Sequence, residues 1–157
     1  MNSSRVRIGI ISDTHGLLRQ EAIDALAGVD HIIHAGDIGN AEILEKLSEI
    51  APVTAVRGNN DHAQWAAGLP DTQLISIAGQ TIFLIHDTKE IDVDLEDAGV
   101  HIVIAGHSHR PLIETRQGIL FINPGSAGPR RFSLPVSFAL LEIANGITTA
   151  GIRRLDI

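Results

Sequence analysis

The sequence predicts an α/β fold, two packed and mixed β-sheets flanked by helices, in a single domain over 1–157. Two patterns carry this expectation. Between residues 6 and 56, short β-branched runs alternate with amphipathic stretches in the order β-α-β-α-β, which argues for a parallel sheet covered by helices. From residue 74 onward, apolar runs come in pairs around short glycine-containing turns, the pattern of hairpins.

Taken in order, Val6–Ile11 reads as a buried strand. Arg19–Ala27 carries Ala22, Ile23 and Leu26 at helical spacing, and Gly28 supplies a stop. His31–Ala35 reads as a second strand. Ala41–Ile50 places Ile43, Leu44, Leu47 and Ile50 on one helical face, with Asn40 as its N-cap. Val53–Val56 is a third strand. In the second half, Leu74–Ile77 and Thr81–Ile85 flank a turn at Gly79-Gln80, and Leu112–Thr115 and Ile119–Ile122 flank Gln117-Gly118. Val136–Ile143 and Ile147–Ile152 flank Asn145-Gly146, the strongest hairpin signal in the chain. Leu95–Ala98 is expected to be a short helix, and His101–Ala105 another buried strand.

Composition narrows the functional classes. A chain of 157 residues can bury about 70% of its unfolded surface, so it needs no disulfide or metal merely to fold. No apolar run approaches the ~20 residues of a membrane span, and Met1–Arg7 lacks the apolar stretch of a signal peptide. The expected location is the cytoplasm, with no membrane partner. There is no cysteine, so any metal must be held by His, Asp, Glu or Asn, donors that suit Mn²⁺, Mg²⁺, Fe²⁺ or Zn²⁺. A net charge of −7 with 12 Lys and Arg, and Trp65 plus four Phe as the aromatic complement, argue against a nucleic-acid track.

The chemistry lies at the ends of the strands. Ile8–Ile11 leads to Asp13 and His15, and Ile32-Ile33 leads to Gly36-Asp37. Val53–Val56 leads to Gly58-Asn59, Ile82–Ile85 to His86, and Ile102–Ala105 to Gly106-His107-Ser108-His109. Functional groups of parallel sheets collect outside the carboxyl ends of the strands, so seven oxygen and nitrogen ligands could meet in one cleft. Any one of these residues alone reads as a turn former, a cap or a satisfied histidine. The Asp-x-His and His-x-His pairs are stronger, because each brings two ligands to one short loop. Glycine before Asp37, Asn59 and His107 permits sharp turns and close backbone approach to a bound group.

Asp13-Thr14-His15, Gly36-Asp37, Gly58-Asn59-Asn60-Asp61, His86 and Gly106-His107-Ser108-His109, in this order, resemble the calcineurin-like metallophosphoesterase family. The likeness runs from about Arg5 to Arg154, and Asn123-Pro124-Gly125-Ser126 points to the short bacterial and archaeal phosphodiesterase branch. The resemblance implies a four-layer α-β-β-α sandwich and two divalent cations, Mn²⁺ foremost, with Fe²⁺, Ni²⁺, Zn²⁺ or Mg²⁺ as alternatives. It implies that Asp13, His15 and His109 hold one ion and that Asn59, His86 and His107 hold the other. Asp37 would bridge both. Catalysis would rest on Asp37, Asn59 and His107 with a metal-bound hydroxide attacking a phosphate ester. Two divalent ions against Asp13 and Asp37 leave a formal local charge of about +2, which attracts phosphate within a Debye length of ~8 Å despite the −7 of the chain. The substrate expected is a small or nucleotide-like phosphodiester. A phosphomonoester or a dinucleotide polyphosphate is the enzymatic alternative, and a non-catalytic scaffold for protein complexes is the alternative outside enzymes. A scaffold would be expected to have lost several ligands, whereas all seven are present.

Two positions depart from the family pattern. The His that usually follows Gly-Asn and protonates the leaving oxygen is Asn60, which cannot supply a proton. Activity should then depend steeply on leaving-group acidity; His62 is a candidate substitute acid, though a solvated loop His is the better reading. The Gly that usually follows the mid-chain His is Asp87, able to repel phosphate, tune a ligand or cap its loop. Elsewhere the plain reading is weighed against the functional one. His34 is structural or orients Asp37. His31 and His101 are rim residues. Arg57, Arg130 and Arg131 are solvated arginines or phosphate clamps. Trp65 and Leu69 are core residues first, and an apolar flap or homo-oligomer patch second. The chain lacks a P-loop run, and its first turn, Ser12-Asp13-Thr14-His15-Gly16, lacks the glycines of a dinucleotide loop.

Overall fold

A computed structural model describes residues 5–157; the Met1–Ser4 part of the segment read as lacking a signal stretch lies outside the described residues. The apolar runs form ten strands, β1 (Arg5–Ile11), β2 (His31–His34), β3 (Val53–Ala55), β4 (Thr72–Ile77), β5 (Gln80–Ile85), β6 (Ile102–Ile104), β7 (Leu112–Arg116), β8 (Ile119–Asn123), β9 (Ser137–Ala144) and β10 (Ile147–Arg154). Two α-helices join them, α1 (Gln20–Ala25) and α2 (Ala41–Ser48), with single 3-10 turns at Gln64–Ala66 and Thr88–Glu90. The Asn40 side chain caps α2 by accepting from the Ile43 N–H at 3.2 Å, an interaction worth about 1 kcal/mol.

The strands make two five-stranded sheets, β10-β9-β1-β2-β3 and β4-β5-β6-β8-β7. Each has a parallel centre, β1-β2-β3 in the first and β5-β6-β8 in the second, with an antiparallel partner outside it. Strand alternation explains the layering. In β1, Ile8 and Ile10 face the second sheet and meet Ile33, Leu84, Ile104 and Leu141, whereas Ile11 faces the helices with Leu26, Ile32 and Leu47. Fully burying each such side chain contributes roughly 1.5–3 kcal/mol. Gly9, on the helix side, lies against Leu26, whose side chain would sit 2.4 Å from any Cβ there. Trp65 and Leu69 pack against this helix-side core, in keeping with the core reading.

Two local expectations need correction. Leu95–Ala98 is no helix; the Ala98 N–H donates to the Asp94 carbonyl and the Val100 N–H to that of Leu95, closing one turn that ends at Gly99. The outer face of the second sheet is therefore covered by irregular chain, through Ile91, Leu95 and Val100, rather than by an α-helix. The first hairpin turns at Ala78-Gly79, one residue earlier than expected, because Ile77 pairs with Gln80. All three hairpins have φ > 0 at both turn residues, as two-residue turns of this twist require. Finally, β5, β6 and β8 are parallel, an arrangement hidden behind the hairpin signals that flank them. No helix among the described residues is long and apolar enough to cross a membrane.

Candidate active site

In each sheet the three central strands are parallel, and their carboxyl exits supply the polar residues. β1 delivers Asp13 and His15, β2 delivers Asp37, and β3 leads to Asn59. In the second sheet β5 delivers His86, β6 leads to His107 and His109, and β8 ends at Asn123. The loops are held against one another by backbone bonds, Asp13 N–H to the Gly36 carbonyl, His15 N–H to Asp37 and Gly106 N–H to His86. Glycine makes this proximity workable. A Cβ at Gly58 would lie 2.2 Å from the Asp37 carboxylate, and one at Gly106 would lie 2.6 Å from that of Asp13. These glycines thus admit one site loop against another.

The packing forces unusual backbone conformations. Asp13, His15, Asp37, His107 and His109 all have φ between +48° and +72°, the left-handed region that non-glycine residues avoid. Each such residue costs on the order of 1 kcal/mol and persists only where its surroundings over-determine it.

Five of the seven expected ligands form a tight nest. Ligand atoms of Asp13, His15 and His109 lie within 4.8 Å of one another, as do those of Asp13, Asp37 and His86. Asp13 Oδ1 is 3.4 Å from His109 Nε2, 3.7 Å from His15 Nε2 and 3.9 Å from His86 Nε2. Asp37 Oδ2 lies 3.2 Å from His86 Nε2 and 3.7 Å from His15 Nε2. Asn59 and His107 stand at the rim instead. Asn59 Oδ1 is 3.2 Å from His107 Nδ1, while His107 Nε2 points to Asp87 Oδ2 at 3.6 Å. Asp87 also caps its loop, its Oδ1 accepting the Lys89 N–H at 3.0 Å, which is one of the roles expected of it.

Among the described residues, the nest has imidazoles but no ammonium or guanidinium beside its carboxylates. Asp13 and Asp37 are buried, yet no Lys or Arg pairs with either among the described residues. Burial pushes the Asp13 carboxyl up, but His109, His15, Ser12 and the charge of His86 outweigh it and hold the group well below the ordinary carboxylate range. Burial likewise pushes Asp37 up, and His86 with the Asn60 N–H brings it below its ordinary value. His86 answers from the other side. Burial pushes it down, but Asp37, Asp13 and the Ala35 carbonyl raise it to about 8. His86 Nδ1 donates to the Ala35 carbonyl at 2.8 Å, so Nε2 is the nitrogen that faces the Asp37 carboxylate, and any lone pair there would meet a second acceptor. Two acceptors in that position need a proton or a cation between them. Asp13 Oδ1, His15 Nε2, His86 Nε2 and His109 Nδ1 are all buried without a hydrogen-bond partner, which is costly unless another group satisfies them. The donor set therefore fits divalent cations held by imidazole and carboxylate.

Several residues outside the expected ligand set build the nest. Asp61 is buried and accepts from the backbone N–H groups of Ile38, Gly39 and Gly58, tying the second loop to the third. Ser12 and the His107 N–H both donate to Asp13 Oδ2, which leaves Oδ1 aimed inward. Asn60 donates to Asp37 from both its N–H and its amide, at 2.9 and 3.0 Å. His34 is fully buried, which pushes it down to about 4; its Nδ1 accepts the Gly36 N–H, and Nε2 meets the Thr14 hydroxyl. It thereby braces the loops that carry His15 and Asp37. A sequence signal existed for Asp61, which ends Gly58-Asn59-Asn60-Asp61, but its role depends on backbone directions that no sequence displays.

The arginines divide. Arg57 is spent on Asp71, through two bonds of 2.9 and 3.1 Å, so it clamps no phosphate in this state. Arg130 and Arg131 are exposed, and the charge of Arg131 reaches His15, whose pKa it lowers against the larger upward push of Asp13. His31 bonds to Thr54, His101 accepts the Thr81 N–H, and His62 is exposed on the cleft wall.

Comparison with known proteins gives concordant results. Residues 6–146 match the model of the calcineurin-like phosphoesterase superfamily domain. A probable metallophosphoesterase of Methanocaldococcus jannaschii is 36% identical over 132 residues, covering 76% of this chain and 67% of that protein. The phosphodiesterase YfcE of Escherichia coli is 29% identical over 161 residues, covering 87% and 88% respectively. In fold, the chain superposes on vacuolar protein sorting 29 of Cryptosporidium parvum with a TM-score of 0.78 at 20% identity, covering 98% of this chain and 99% of that one.

Proposed function

The chain belongs to the calcineurin-like phosphoesterase superfamily, a metal-dependent family, and from that premise we propose that it is a dinuclear phosphodiesterase acting on small or nucleotide-like phosphodiesters. The observation that carries this reading is the pair of buried carboxylates, Asp13 and Asp37, surrounded by imidazoles and unpaired with any Lys or Arg among the described residues. Asp13, His15 and His109 would hold one ion, Asn59, His86 and His107 the other, and Asp37, with Oδ2 between His15 and His86, would be shared. Mn²⁺ is the ion we favour. Bound divalent ions supply Lewis-acid polarisation of phosphoryl oxygens and lower the pKa of water near neutrality.

The protein's own groups do the positioning. The Ala35 carbonyl fixes the proton of His86 on Nδ1 and so presents Nε2 to the cleft. Ser12 and the His107 N–H occupy one oxygen of Asp13 and leave the other free. Asn60 holds Asp37 and has no acidic proton to give a leaving group. Rates should therefore rise steeply with leaving-group acidity. The retained ligand set favours catalysis over a purely structural role, since a scaffold has no need for orphaned buried acceptors.

The test is to measure bound metal, then assay phosphomonoesters and phosphodiesters with added Mn²⁺, Mg²⁺ and Ni²⁺. Asp37→Asn should lower turnover by at least about a thousandfold while the circular dichroism spectrum stays native. Full turnover in Asp37→Asn, or activity indifferent to chelator, would overturn the reading.

A further inference from the structure

Two cavities adjoin the nest, and they differ in charge. Both touch His107 and Asp87, which stand between them. One, of about 830 Å³, is lined by Asp61, Asp71, Asp87, Glu90 and Asp92, and its arginine, Arg57, is already paired with Asp71. The other, of about 560 Å³, lies on the outer face of the second sheet. Val103, Ala105 and Phe121 give it an apolar floor, and Pro111, Leu112 and Leu134 close its sides. Its size falls within the range of small-molecule sites.

The mouth of this second cavity is cationic. Lys89, Arg110 and Arg116 all border it. Arg116 is engaged, bonded to Glu114 and stacked 4.7 Å over the Phe121 ring. Lys89 and Arg110 are exposed and have no ion-pair partner among the described residues. Their backbones are nonetheless pinned. The Lys89 N–H donates to Asp87, and the Arg110 N–H donates to Ser108 Oγ, which itself accepts from the Asn123 amide. The cavity also begins next to the nest, because Gly106 and His107 line it and the His107 N–H bonds Asp13.

We propose that this cavity is the subsite for one organic arm of the substrate, an arm with a flat apolar body and a second anionic group of its own, as in a nucleoside bisphosphate. The proposal rests on the phosphodiesterase reading of the adjoining site. The apolar floor takes the base or ring, and Lys89 and Arg110 take the second anion. The other cavity holds Asn59, His86 and His107 at its inner end, and beyond them the carboxylates of Asp71, Glu90 and Asp92 disfavour a second anion there, so the two lobes orient such a substrate in one sense.

Direct binding tests this without turnover. With Mn²⁺ present, calorimetry would compare thymidine 5′-phosphate with thymidine 3′,5′-bisphosphate, which differ only by the second anion. The bisphosphate should bind about tenfold tighter, and a Lys89→Ala/Arg110→Ala double variant should bring that ratio close to one. A Lys89→Glu/Arg110→Glu variant should invert it. Equal affinity for the two nucleotides in the parent protein, or a preference untouched by these exposed substitutions, would overturn the proposal. Hydrolysis of methyl p-nitrophenyl phosphate, measured separately, reports on the adjoining site. Hydrolysis without nucleotide discrimination removes the subsite and keeps the enzyme; discrimination without hydrolysis does the reverse.

Discussion

The two ends of the site use the same residue types and are built differently. At the inner corner, Asp13 is fully buried, the His109 side chain is 3% exposed with Nε2 3.4 Å from Asp13 Oδ1, and Asp13 Oδ1, His15 Nε2 and His86 Nε2 are buried without a hydrogen-bond partner. At the rim, the His107 side chain is 45% exposed and already bonded to Asn59. The corner is a set of converging donor atoms held by the rest of the fold. At the rim, Asn59 and His107 already share a hydrogen bond, worth about 1 kcal/mol, that a rearranged rim would lose. The difference teaches that preorganisation is distributed unevenly within one centre, and that the corner should fill first.

The sharpest test sets His109→Ala against His107→Ala. Loss of the corner imidazole should lower kcat/KM by at least about a thousandfold and remove the tighter of two metal-binding events. Loss of the rim imidazole should cost only about ten- to a hundredfold and affect the weaker event. Calorimetric titration with Mn²⁺ alongside kinetics reads both, and equal effects would erase the distinction between corner and rim.

A second test removes what braces the corner without touching it. Asp61→Asn places an amide N–H against backbone donors of Ile38, Gly39 or Gly58. Urea denaturation should show a loss of about 2–3 kcal/mol. Unchanged stability would mean that the loops hold one another by packing alone.

The smallest effect is a pH dependence beneath the same corner. His34 is neutral in the folded protein down to about 4, whereas unfolded His protonates near 6.5. Its contribution is therefore intact above pH 6.5, and stability falls as the pH drops from there toward 4. At pH 5 the loss should be about 2 kcal/mol relative to pH 7. His34→Gln should flatten this part of the urea-midpoint profile, and an unchanged slope would show that other groups carry it.

Much of this was legible in the sequence because strand ends and short motifs are local. The alternation in β1, β2 and β3, the N-cap Asn40 and the strand-terminal placement of Asp13, Asp37 and His86 follow from nearest-neighbour chemistry. What was hidden depends on distant pairing. Leu95–Ala98 has helical residues, but Gly99 and the need to cover β6 leave room for one turn. The Ala78-Gly79 turn was displaced by one residue because register is settled across the hairpin. Asp61 acts through backbone N–H groups 22 and 23 residues away, Ser12 through the adjacent carboxylate and His34 through a hydroxyl 20 residues away, so their roles appear only once the loops meet. The bond between Asn59 and His107 likewise joins positions 48 residues apart.

The five left-handed residues carry an evolutionary consequence. At each of them glycine would relax the main chain by roughly 1 kcal/mol. A population of variants sorted only for resistance to heat, in medium stripped of metal, would accumulate glycine at positions 13, 15, 37, 107 and 109. The lineage would grow sturdier while its chemistry vanished, so retention of Asp and His at these positions marks a chain kept for what it does rather than for how firmly it stands.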